Sequence, residues 1–160
     1  MRFHVVSLPH TQTTKDFAGC AYTEKVRRFC NMMKRLGHTV YLYAGEENEA
    51  QVDELIPCIT ETQRRIVVGK KPYVEAPFNP RLPHWEKFNK KAAKEIRKRI
   101  EQRDFICLIG GGSHQPIAMA LPEFMNVEFG VGYSGVFANY KVFESYAWMH
   151  AVYAQFKNAA

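Results

Sequence analysis

Two hydrophobic periods alternate along the chain. Residues 2–8 (RFHVVSL) form a β-branched run closed by Pro9 and predict a first strand. After a polar loop, Tyr22, Val26, Phe29, Cys30, Met33 and Leu36 recur at helical spacing, with Lys25, Arg27, Arg28, Lys34 and Arg35 on the opposite face. Gly37 is placed to cap that helix, and residues 38–44 (HTVYLYA) return to strand character. Strand, loop, helix, glycine, strand is the pattern of a right-handed parallel crossover, in which helices cover a parallel sheet.

The remaining chain is less regular. Residues 46–54 are acidic and predict a loop running into a short helix, and RRIVV at 64–68 predicts a strand. Pro72, Pro77, Pro80 and Pro83 punctuate an extended stretch. A long helix then begins near Pro83 or His84, with Trp85, Phe88, Ala92, Ile96 and Ile100 as its buried stripe. Residues 104–110 (DFICLIG) have the unbroken apolar centre of a strand covered on both faces. GGGSHQ reads as a loop, PIAMALPE as a short helix with Pro116 in its first turn, and NVEFGVGY as another strand. From about residue 139 to 157 the pattern is helical, with Val142, Phe143, Tyr146, Met149, Tyr153 and Phe156 near one side. Trp148 and Phe156 suit either a core or a covered contact. The expected fold class is α/β: residues 1–160 form a single domain, a Rossmann-like parallel sheet of about five or more strands flanked by helices.

Composition narrows the class. A chain of 160 residues, 46% hydrophobic and 24% charged, has the makings of one packed domain and not of a disordered segment. No apolar run approaches the roughly 20 residues of a membrane span, and MRFHVVSLPH lacks a secretory apolar core. Cys20, Cys30, Cys58 and Cys107 form no CxxC pair, so no metal centre is expected, and a reducing cytoplasm is the expected compartment. Cys30 and Cys107 read as buried thiols. Much of the net charge of +6 lies in residues 87–103 (KFNKKAAKEIRKRIEQR). This run reads first as the wet face of a helix, and second as a contact for an acidic partner; nucleic acid is allowed but not favoured.

Candidate chemistry follows from topology, because open α/β sheets bind ligands at the carboxyl ends of their strands. Three loops leave such ends: 9–23, 110–115 and 130–139. In the second, Gly110, Gly111 and Gly112 permit close backbone approach, the following helix favours anions, and Ser113, His114 and Gln115 supply donors. The pattern is neither GxGxxG nor a P-loop, and a plain strand-to-helix turn reads equally well. In the first loop His10 is a candidate general base, since an imidazole titrates near neutrality, with Thr11 and Tyr22 as neighbours. A surface histidine is the competing reading. Cys20 reads as a nucleophile at a helix start or, more simply, as a packing residue. In the third region Glu128 inside a strand is costly unless paired or exposed at the strand end, Gly130, Gly132 and Gly135 loosen the loop beside Tyr133, and Glu144 lies near the last helix. That acid is a site group or a partner for the helix dipole. No GxSxG elbow is present, so no serine-hydrolase triad is indicated.

The segment SLPHTQTTKDFAGCAYTEKVRRFCNMMKRLGHTVYLYAG resembles the N-terminal opening of GT-B glycosyltransferases, in which a helix ending L-G-H-x-V feeds the second strand. VGYSGVFANYKVFESYAWMH resembles a phage and bacterial group of such enzymes, and the order of elements fits over nearly the whole chain. The resemblance implies a Rossmann-like lobe that binds a hydroxyl acceptor, with a nucleotide-sugar as co-substrate and no obligatory metal or other cofactor. It implies His10 as base and His114 near the acceptor or the donor phosphates. Thr11, Tyr22, Gly111, Gly112, Ser113, Gln115 and Tyr133 would then line the substrate, and Glu144 would be an acid leading towards a second lobe. These residues correspond to the first lobe only, so a second lobe or another copy of the chain is the implied partner. Two readings from other classes stand beside it: a small α/β enzyme acting on a nucleotide or nucleoside, and a non-catalytic binding protein using the basic helix.

Overall fold

The computed structural model describes residues 1–69 and 78–157, with the backbone alone for Phe156 and Lys157. Six strands form one all-parallel sheet: β1 (Arg2–Val6), β2 (Thr39–Ala44), β3 (Glu54–Pro57), β4 (Phe105–Leu108), β5 (Met125–Val131) and β6 (Tyr140–Phe143). Their order is β3-β2-β1-β4-β5-β6. The helices are α1 (Ala21–Arg35), α2 (Glu61–Val68), α3 (Pro83–Arg97), α4 (Gln115–Ala120) and α5 (Tyr146–Lys157). The expected Rossmann-like α/β class is therefore the observed one.

Strand alternation sorts the core into two layers. Val5, Val40, Leu42 and Cys107 face α1, whose Val26, Cys30 and Met33 close that side. Val6, Tyr43, Ile106 and Leu108 face the other way, against Phe88, Ala92 and Ile96 of α3 and Ile117 of α4. Each valine, leucine, isoleucine, phenylalanine or methionine side chain among these contributes about 1.5–3 kcal/mol on full burial. Gly37 ends α1 at φ 76°, the left-handed geometry expected of that cap. Leu36 departs from the predicted stripe. It lies past the helix end and is 61% exposed, because the stripe runs out at Met33.

Three segments differ from the sequence expectation. Residues 46–54 form no helix. Asn48 Oδ1 accepts the Ala50 N–H at 2.9 Å and the Asp53 carboxylate accepts Val40 N–H at 2.7 Å, so the polar side chains tie a loop into β3. RRIVV is helical, not a strand. Thr60 and Gln63 form a reciprocal capping box, and Gly69 closes the helix at φ 75°, so end signals outweigh the β-branched run. Residues 140–143 are strand β6 and not the start of the last helix, which begins at Tyr146. Val142 and Phe143 fit both periods, and pairing of Tyr140 with Val127 and Phe143 with Val131 decides for the strand. Of the proline-rich stretch, Pro72 and Pro77 lie outside the described residues, as does the Phe156 side chain. Pro80 sits in a turn and Pro83 opens α3.

Among the described residues no helix is long and apolar enough to cross a membrane.

Candidate functional site

β1 pairs with β2 on one side and β4 on the other, so the chain leaves β1 and β4 in opposite senses. The crevice at this reversal is where open α/β sheets bind ligands. The loops after β1, β4 and β5 meet there. Gly112 N–H donates to Gly135 O at 3.0 Å, and the rings of Tyr22 and Tyr133 lie 5.6 Å apart.

His10 is held from behind. Its carbonyl accepts from Arg64 Nη1 of α2 at 3.2 Å, and that guanidinium is itself clamped by Glu61 at 2.7 and 2.8 Å. The helix that replaced a predicted strand thus positions the first candidate base. Its ring is 4% exposed, and Nδ1 has no hydrogen-bond partner among the described residues. Burial pushes its pKa down to about 4, with nearby His84 and Arg64 adding to the effect. The imidazole is therefore neutral at pH 7.

An aromatic wall surrounds it. His10 meets Phe78 edge-on at 5.4 Å and Trp85 at 6.0 Å, and Phe78 in turn stacks with Tyr22 at 5.9 Å. Trp85 also reaches His114 at 5.7 Å, so one indole stands between the two histidines. Sequence reasoning assigned Trp85 to the core stripe of α3 and did not single out Phe78. Their role is visible only once α3 is folded against the sheet.

The glycines serve the protein's own packing. A Cβ on Gly110 would sit 2.9 Å from the His114 ring. Gly111 adopts φ 53°, and a Cβ there would press on Tyr133 at 3.1 Å and Gly135 O at 3.3 Å. His114 is fully buried beneath this turn, its Nδ1 accepting Gly110 N–H at 3.0 Å. That bond places the ring proton on Nε2. Burial lowers its pKa to about 3, against a weaker opposing backbone contact at Ser7.

Other candidates fall into two groups. Thr11 is buried and bonded to Thr23 Oγ1 at 2.7 Å, which closes the first loop onto α1. Gly112, Gln115 and Glu144 are exposed, while Tyr22 and Ser113 are half-buried. Tyr133 is buried beneath Gly111. Glu144 pairs with Lys25, which also donates to Gly130 O at 3.0 Å and lies 5.6 Å over the Tyr22 ring. Cys20 caps the start of α1 without a side-chain hydrogen bond and packs against the core.

Glu128 finds the partners its burial demands. Its Oε2 accepts Phe137 N–H at 2.8 Å and Ala138 N–H at 2.9 Å, so a carboxyl in β5 holds the third loop. Burial nevertheless raises its pKa, the two backbone donors working the other way. Among the described residues no group of three or more His, Cys, Asp or Glu side chains could hold a metal ion.

A scan against protein-family models finds no match, and a search of curated proteins finds none either.

Proposed function

We propose that this chain is the acceptor-binding lobe of a GT-B type glycosyltransferase, acting in transfer of a sugar from a nucleotide-sugar to a hydroxyl. The observation that carries the reading is the neutral imidazole of His10 at the carboxyl end of β1, walled by Tyr22, Phe78 and Trp85. The accessible rings of Tyr22 and Phe78 suit the C–H faces of a sugar ring, with Trp85 buried behind them, and an unprotonated imidazole suits a hydroxyl. The acceptor oxygen would bond to the donor's anomeric carbon as the bond from that carbon to the leaving phosphate breaks. His10 would take the acceptor proton. A base whose pKa is near 4 accepts it late, when bond formation has already acidified the hydroxyl. Ser113 and Gln115 supply hydrogen bonds from the neighbouring turn, and His114 stays neutral beneath it.

The test is transfer from UDP-, GDP- and CMP-sugars to a panel of saccharide acceptors. His10→Ala is expected to lower transfer by about 10²–10⁴-fold, the usual contribution of a positioned base. Transfer that survives the substitution unchanged contradicts the role given to His10.

A further inference from the structure

A second concavity opens between α3 and the turn leading into α4. Its volume is about 540 Å³, within the range of roughly 300–1,000 Å³ typical of small-molecule sites. It touches the crevice only through Trp85, Gly112 and Ser113 and extends along α3 away from His10. Its apolar lining is the buried Ala93 with the exposed Pro80, Pro116 and Ala120.

Its rim carries three cations beside one carboxylate, Glu86. Lys90, Lys94 and Arg97 recur at helical spacing and all line the cleft. Lys94 has no ion pair among the described residues. Lys90 pairs with Glu86 at 2.6 Å and Arg97 with Glu123 at 2.8 Å, but all four side chains are about half exposed or more. Such pairs are worth little and yield to a stronger anion. Between the cations and this lining sits Asn89. It is 5% exposed, donates to Ser113 O at 2.8 Å and leaves its Oδ1 without a partner among the described residues. That bond ties α3 to the Ser113 turn at the cleft wall, while the unpartnered Oδ1 is an acceptor and takes no part in holding a phosphate.

We infer that the α3–α4 cleft is a binding site for a small organic phosphate, with the carbon body on the Pro80–Ala93–Pro116 lining and the phosphate among Lys90, Lys94 and Arg97. The apolar lining favours a ligand with a carbon body over a bare polyanion. The cleft shares Trp85 and Ser113 with the crevice but does not include His10, and the inference does not depend on the sugar-transfer reading.

The probe is 1-naphthyl phosphate, titrated into ¹⁵N-labelled protein and followed by NMR, with 1-naphthol and inorganic phosphate in parallel. The expected result is saturable shifts at Ala93, Ser113 and the Asn89 side-chain amide, with each half-molecule binding at least tenfold more weakly. Lys94→Glu and Arg97→Glu, both at exposed positions, are expected to weaken binding at least tenfold each while leaving the spectrum folded. No saturable shift at these residues overturns the inference. So does naphthol or inorganic phosphate binding as well as the ester, or charge reversal without effect.

Discussion

At the scale of single residues, the tightest constraints lie where a side chain fills space that a neighbour vacates. Gly110→Ala is expected to cost about 1–3 kcal/mol in denaturant unfolding, because its Cβ would meet the His114 ring at 2.9 Å. The same substitution combined with His114→Ala should cost less than the sum, since the clash partner is gone. Simple additivity would show that the glycine is needed for some other reason. Glu128 offers a second case. Glu128→Gln keeps an oxygen for the Phe137 and Ala138 N–H groups and should be mild, whereas Glu128→Ala strands them and should cost about 2 kcal/mol or more. Equal losses in the two variants would remove the clamp assigned to this carboxyl.

Elements were legible to the extent that their signals are local. The stripe from Val26 to Met33 and the closing glycine fixed α1 in advance, and the doubly buried DFICLIG fixed β4. RRIVV misled because intrinsic preference is weaker than a capping box at one end and a left-handed glycine at the other. β6 was hidden because Val142 and Phe143 satisfy two periods at once, and only its pairing with β5 separates them. For the site, Pro9 ending the strand exposed His10 to sequence reasoning. Trp85, Phe78 and Asn89 escaped it, since they arrive from a segment distant in the chain. Asn89 on an apolar stripe was the one signal that could have been read. α2 carries its own prediction: Thr60→Ala should lose about 1 kcal/mol of stability. It should also broaden the NMR signals of His10, whose carbonyl hangs on Arg64. Unchanged His10 signals would uncouple α2 from the site.

For the whole molecule, the crevice and the stability curve share two buried histidines. Both have folded pKa values depressed below the ordinary 6.5, to about 4 for His10 and about 3 for His114. The unfolded chain therefore binds protons that the folded chain refuses as pH falls below about 6.5. Their contribution is fully present above that value and is lost progressively towards pH 4 for His10 and pH 3 for His114. Each can steepen the loss by up to about 1.4 kcal/mol per pH unit within its window. His10→Gln should flatten the fall between about pH 6.5 and 4, and an unaltered slope would mean that His10 is solvated in the folded state.

The chain contains only two tryptophans, which gives the sugar-binding reading a direct probe. Trp85 touches the ring of His10, whereas Trp148 lies on α5. The measurement is a saccharide titration followed through the two indole N–H signals and the His10 imidazole. Acceptor binding in the crevice predicts saturable shifts at Trp85 and His10 with Trp148 unmoved. A saccharide that supports transfer yet leaves Trp85 and His10 unshifted would contradict it.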